Sequence, residues 1–353
     1  MALTLLVSCA MNEGLVKEQS GAAPDRTLCA EGRGREGGRY GVAYTGPGDV
    51  GEAMNAMGIR WYLDYTAEVQ GIPPGCSKAI KVSSKALMSE DEVRRVAHAR
   101  PGSYWIIGNE PNVPGQDDLS PDSYAENFRY YQPVIKSADP TAQIVAPEIL
   151  NFDYTCTGCG GFDQGRSWVE DFRESYRERY GAEPPVDVWS IHTYDLNWEK
   201  LPMVDHQVQV QQIAAFRQYL DAALEHRGKP IWLTEFAIVW GYEGAQWLSD
   251  TTPQPGVSGI AQEGRGVALR AHPWGQMRKD LMSEYLTGML EWLDANAEPL
   301  NIQRWFIFSS HGYRDPWAAV PGGLALLENR GSQPRLTEFG RIYREWAMKG
   351  DRP

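Results

Sequence analysis

Two glutamates, Glu110 and Glu235, each close a short apolar run: Ile106-Ile107-Gly108-Asn109-Glu110 and Ile231-Trp232-Leu233-Thr234-Glu235. A carboxylate at the mouth of an apolar segment is costly to bury unless something uses it. A single such residue reads as a surface ion pair. Two of them, with Asn109 just before the first, point to paired-carboxyl chemistry. One group would stay protonated as a general acid and the other ionised, their environments pushed apart. A third apolar run ends Ser190-Ile191-His192-Thr193-Tyr194-Asp195. His192 and Tyr194 are two apart and share a face if the run is a strand. A Tyr194 hydroxyl there can donate to Glu235 and hold it ionised and oriented. His192 can reach Glu110 or a ligand hydroxyl; a packed, hydrogen-bonded core histidine is an equal reading.

The elements that must position these groups alternate. Strands are expected over 40–44, 59–65, 79–83, 104–108, 143–147, 186–194, 231–237 and 302–309, each followed by a helix. Ser89 and Glu92 have capping-box spacing, and Ser120-Pro121 is a helix start. Alternating strand and helix imply a parallel sheet, and eight units suit a single (β/α)₈ TIM barrel over 39–350 with enlarged loops on its C-terminal face. An open doubly wound sheet is the runner-up, but no Gly-rich phosphate loop follows the first strand. Catalytic groups of such barrels sit at the C-terminal strand ends, where Glu110 and Glu235 fall. Tyr62 and Asp64 end the second strand and are expected to line the site. Arg60 shares their parity nearer the strand start, with its role undecided. Glu148 closes the fifth strand and is a weaker candidate. On the eighth, Trp305 lies early, and Phe308 takes an outer position facing the ligand. Trp240 opens a long segment, 240–275, with Tyr242, Trp247, His272 and Trp274; loops of this length are often functional, here as a cleft wall or lid. Leu336-Thr337-Glu338-Phe339 repeats the residues around Glu235 but opens the last helix, so Glu338 is a first-turn acid favoured by the helix dipole.

Asn109-Glu110-Pro111 with Thr234-Glu235-Phe236 resembles clan A of the glycoside hydrolases, in order and spacing, from Arg39 to Trp346. Within the clan, Lys229-Pro230-Ile231-Trp232-Leu233-Thr234-Glu235-Phe236 and Trp61-Tyr62 are similar to the β-1,3-glucanase family with an Asl1-type catalytic domain. The resemblance implies Glu110 as acid/base, Glu235 as nucleophile and Asn109 on the sugar 2-hydroxyl. The chemistry is consistent: a glycosidic bond needs a proton for the leaving oxygen and a carboxylate for the oxocarbenium-like carbon. The expected function is a retaining hydrolase of β-linked polysaccharide, endo-β-1,3-glucanase-like, acting by double displacement without cofactor or metal. Alternatives are a clan A exo-β-glycosidase such as a β-xylosidase, and a carbohydrate-binding barrel without catalysis. A metal-dependent hydrolase built on Glu110, His192, Asp195 and Glu235 is a third, disfavoured by the scarcity of strand-end histidines.

The remaining features concern compartment and partners. The formal net charge is −12, which argues against a nucleic-acid surface. The 13 Trp, 17 Tyr and 9 Phe suit a large core and also sugar stacking. No apolar run reaches the roughly 20 residues of a membrane span. Residues 1–38 read as a leader, rich in Gly, Arg and Glu and poor in apolar surface. Leu6-Val7-Ser8-Cys9 is similar to a bacterial lipobox, without a basic segment before it, so a lipid anchor at Cys9 and an extracellular or envelope location are expected. Cys156-Thr157-Gly158-Cys159 lacks the further ligands of a zinc site and reads as a local disulfide; Cys29 and Cys76 would form a second. A monomer binding poly- or oligosaccharide is expected.

Overall fold

The computed structural model describes residues 38–243, 276–312, 323–328 and 333–349, together with the backbone of 246–249, 267–270, 313–314, 321–322 and 350. The leader up to residue 37, with Cys9 and Cys29, lies outside the described residues, as do the side chains of Trp247, His272 and Trp274. Nine parallel strands form one sheet: β1 (Tyr40–Ala43), β2 (Trp61–Leu63), β3 (Ser77–Lys78), β4 (Ile80–Val82), β5 (Tyr104–Ile107), β6 (Gln143–Leu150), β7 (Val188–Tyr194), β8 (Ile231–Ala237) and β9 (Ile302–Phe308). Their order is β3-β2-β1-β9-β8-β7-β6-β5-β4. β3 and β4 are one extended segment interrupted at Ala79. Its first part pairs with β2 and its second with β5, which completes the circle. The expected eight-stranded barrel is therefore present, its third strand split in two.

Seven helices surround the sheet among the described residues: α1 (Val50–Met57), α2 (Glu90–Ala99), α3 (Pro121–Ala138), α4 (Gly165–Tyr180), α5 (His206–Ala222), α6 (Lys279–Asn296) and α7 (Glu338–Gly350). The expectation of a helix after every strand fails once, between β2 and β3. That connection contains Gly71, Pro73, Pro74 and Gly75, which remove donors and favour turns. Ser89 and Glu92 form the capping box that starts α2, and Glu338 lies in the first turn of α7. None of the described helices is long and apolar enough to cross a membrane.

Strand alternation divides the core. Val42, Tyr62, Ile80, Val82, Ile107, Leu233 and Trp305 pack outward against the helices. Ala43, Trp61, Leu63, Ala79, Ile106, Val145, Val188, Trp232 and Phe306 fill the barrel interior. Burying the larger of these side chains contributes roughly 1.5–3 kcal/mol each, and the filled interior leaves the polar strand ends at the C-terminal mouth. Arg304 stacks 3.7 Å over Trp61 at the opposite end. At the mouth, Val113, Leu150, Tyr194, Leu196 and Ala237 form a third cluster, against which Cys156 and Phe308 pack. Cys156 and Cys159 are joined by the expected local disulfide. The segment after β8 is a stem: Tyr242–Glu243 pairs antiparallel with Gln276–Met277, and the backbone of 246–249 pairs with that of 267–270.

Candidate active site

Backbone irregularities at three strand ends turn acidic side chains inward. β5 stops at Ile107. Gly108 follows with φ 98°, and a Cβ there would lie 2.9 Å from Ser84 Oγ and 3.1 Å from Tyr124. Only glycine fits this turn, which lifts Asn109 and Glu110 over the barrel mouth. Glu110 itself has φ 45°, and Asp117 braces the turn by accepting the Asn109 backbone N–H at 2.9 Å. On β6, Pro147 faces Ser190 and Ile149 faces Ile191, so Glu148, at φ 58°, is an extra residue. On β8, Leu233 faces Ile191 and Glu235 faces His192, leaving Thr234 as the extra residue. The irregularities on β6 and β8 are β-bulges, which re-aim the side chains that follow them.

The inward groups meet within hydrogen-bonding reach. His192 Nδ1 lies 2.9 Å from Glu110 Oε1 and 3.6 Å from Glu235 Oε2. Its Nε2 lies 3.6 Å from Glu148 Oε1. Tyr194 donates to Glu235 Oε2 at 2.7 Å, and Tyr65 donates to Oε1 at 2.5 Å. Lys81 Nζ lies 2.6 Å from Glu148 Oε2 and 2.6 Å from Asn109 Oδ1. All three glutamates are buried, as are His192 and Lys81.

Charge follows from this geometry. Burial raises the Glu110 carboxyl above the usual carboxylate range; the His192 contact opposes the rise and Glu235 adds to it. Burial alone would strip His192 of its proton, but Glu235, Glu110 and Glu148 together push its pKa up to about 10. Burial also works against an ionised Glu148, and Lys81 and His192 overcome it and hold that carboxyl low. The Tyr65 and Tyr194 hydroxyls are raised well above their ordinary value, by burial first and by Glu235 next, so both remain donors.

Not every expected residue comes to this place. Tyr62 and Asp64 face outward. Tyr62 packs among the helices, and Asp64 pairs with Lys78 at 2.6 Å. The alternation on β2 buries Trp61 and Leu63 inside and turns Tyr62 outward; Tyr65, past the strand end at φ 60°, is the residue that reaches the site. Trp305 is outer core against Tyr40. Phe308 stands at the mouth, between the interior and the rim clusters. Trp240 is buried beside Tyr242, with no contact to either glutamate among those described. Tyr65 and Lys81 were not singled out by sequence. The signal for Lys81 was a lone lysine inside the apolar run Ala79–Val82, two residues from inward-facing Ala79.

Glu110, His192 and Glu235 offer donor atoms within 4.8 Å of one another, a set large enough for a cation. Several of these atoms are already in use: both Glu235 oxygens accept phenolic hydrogens, and His192 Nδ1 is shared with Glu110. Asp195, which the metal-dependent reading needs as a fourth ligand, turns away and accepts the backbone N–H groups of Asn197 and Asp205.

Residues 41–254 match the sequence model of the glycosyl hydrolase catalytic core. No curated protein matches the chain. Among solved structures, a family 128 (subgroup II) endo-β-1,3-glucanase from Pseudomonas viridiflava aligns over 87% of this chain and 96% of its own, with 19% identity and TM-score 0.56. A subgroup I endo-β-1,3-glucanase from Amycolatopsis mediterranei, in complex with laminaritriose, covers 88% and 100% at 18% identity and TM-score 0.54. A subgroup III curdlan-specific exo-β-1,3-glucanase from Blastomyces gilchristii, in complex with glucose, covers 87% and 97% at 17% identity and TM-score 0.51. At these identities the likeness is one of fold.

Proposed function

We propose that this chain, which belongs to the glycosyl hydrolase catalytic-core family, is a retaining endo-β-1,3-glucanase. The observation that carries the reading is the approach of Glu110 and Glu235 to within 4.8 Å, donor atom to donor atom. Retaining glycosidases hold their carboxyls roughly 5 Å apart, whereas inverting ones leave about 6.5–9.5 Å for a water. The linkage rests on the β-1,3-glucanase activity of the structural neighbours and on their complexes with laminaritriose and glucose.

In this reading Glu110, kept protonated by burial, gives its proton to the leaving oxygen. Glu235 attacks the anomeric carbon, oriented by Tyr65 and Tyr194. Once the glycosyl-enzyme forms, Glu235 carries no charge, and its upward push on Glu110 disappears. The Glu110 proton has already left with the alcohol, and the carboxylate now accepts a proton from water. His192, between the two, keeps its imidazolium within reach of both carboxylates through each half-reaction. Export, a lipid anchor at Cys9 and a monomeric state complete the proposal. They rest on Leu6-Val7-Ser8-Cys9, on the cysteine count and on a single site within one chain.

The test is a screen on laminarin, xylan, mannan, cellulose and galactan, with products sized and the first-formed anomer read by NMR. Laminarin should give oligosaccharides of β configuration. Glucose alone would replace endo with exo action, and an α product would remove the retaining mechanism.

A further inference from the structure

Lys81 is unusual in its position. It is a buried lysine pointing into a barrel, on a strand that contributes no other polar group to the site. Its Nζ has three neighbours: Glu148 Oε2 at 2.6 Å, Asn109 Oδ1 at 2.6 Å and the centroid of the Tyr65 ring at 4.4 Å. An ammonium has donors only, so the contact fixes which end of the Asn109 amide faces it. Oδ1 must point to Lys81, and Nδ2 must point away. One Nδ2 hydrogen goes to Gln116 Oε1 at 3.0 Å. The other has no acceptor among the described residues, and Asn109 is half-buried at the rim, next to Glu110.

We propose that Lys81 is a positioning residue that locks the Asn109 carboxamide in one orientation, so that its second N–H is presented to the 2-hydroxyl of the sugar undergoing cleavage. The inference rests on the glycosidase reading above and names the device by which the site recognises that hydroxyl. Glu148 has a separate part. It is the counterion that lets a charged lysine remain in the barrel, and it joins that lysine to His192 at 3.6 Å. Without Lys81 the amide could turn over and present Oδ1, which can only accept, so that the 2-hydroxyl would have to give up its own hydrogen rather than receive one. The 2-hydroxyl contact strengthens as the sugar flattens toward the transition state, so a turned amide lowers kcat more than it raises KM.

K81M alone would leave the buried Glu148 without its closest cation, with only the His192 ring at 3.6 Å, which is destabilising. The variant to read is therefore K81M/E148Q, which removes both charges together, with E148Q and wild type beside it and melting curves for all three. Each is assayed on an aryl β-laminaribioside and on its analogue lacking the 2-hydroxyl of the reacting sugar. The quantity compared is the ratio of kcat/KM between the two substrates. In wild type and E148Q, where Lys81 still holds Asn109, the ratio should be similar. In K81M/E148Q it should fall by about tenfold, the worth of one hydrogen bond. A merely structural pair would change both substrates equally and leave the ratio untouched; an unchanged ratio in the folded double variant overturns the proposal. A double variant that loses its folded transition while E148Q keeps it would assign Lys81 to stability and overturn it too. Failure of the wild type on both substrates would instead reject the glucanase reading, a separate outcome.

Discussion

Tyr194 and Glu235, on neighbouring strands β7 and β8, are joined by a 2.7 Å hydrogen bond, made with the bulge at Thr234 turning Glu235 inward. Tyr65 reaches the other oxygen of the same carboxylate. The two phenols fix the plane of the Glu235 carboxylate and stabilise its charge. Y194F and Y65F should each lower kcat by about tenfold to a hundredfold, as for hydrogen bonds to a charged group, with KM changed little. Steady-state kinetics on an aryl β-laminaribioside measure this, and a loss confined to KM would place the phenols on substrate instead.

Glu235→Gly should abolish turnover even with activated leaving groups, a loss of several decades. Azide or formate should restore part of it and give a product of inverted configuration. Retained product on rescue would reverse the roles of the two glutamates.

Glu110→Ala should behave differently. An activated aryl leaving group needs no proton, so the first turnover should remain fast and appear as a burst. The second step, which needs a base, should become slow. Azide should accelerate it and yield a glycosyl azide of retained configuration. Absence of a burst with a dinitrophenyl leaving group would remove Glu110 from the second step.

His192 ties stability to pH. Its pKa is raised from 6.5 to about 10 in the folded chain, so its contribution is fully present below pH 6.5 and is lost as pH rises through about 10. H192Q should be destabilised by roughly 3–5 kcal/mol near pH 6, and the deficit should shrink toward pH 10. Urea unfolding at pH 6, 8 and 10 measures it. A deficit independent of pH would mean that the ring is held neutral.

Much of the barrel was legible because its signals are local. Alternating apolar periods, the Ser89–Glu92 box and Gly108 beside Glu110 are written in adjacent residues. Tyr62 and Asp64 show where that reading stops. Their strand end was found, but which face looked inward depended on Trp61 and Leu63 packing against Ala79 and Trp232, a contact between distant segments. Tyr65 lies one residue past Asp64 with φ 60°, beyond the point where strand parity is a guide. Lys81 was missed, and Glu148 was placed only as a weaker candidate, for another reason. Each is an isolated charge whose partner is 67 residues away in sequence, and only the pairing at 2.6 Å explains why either can be buried. The helix expected after β2 was lost to two prolines that composition displayed openly.

The extra residue at Thr234 bears on how such a site can be moved or inherited. On a regular strand, Trp232 and Glu235 would face opposite sides, since they are three apart. One inserted residue lets an aromatic plug the interior while the acid, three positions on, still faces the cavity. Smoothing the bulge with Thr234 still in the chain would send Glu235 out among the helices, whereas removing Thr234 would leave the acid two residues from Trp232 and still facing inward. Transplanting this Trp232–Glu235 spacing into another barrel therefore means transplanting a backbone irregularity with it. A sequence that keeps the spacing on a strand that pairs without the bulge would look competent in an alignment and be inert in the flask.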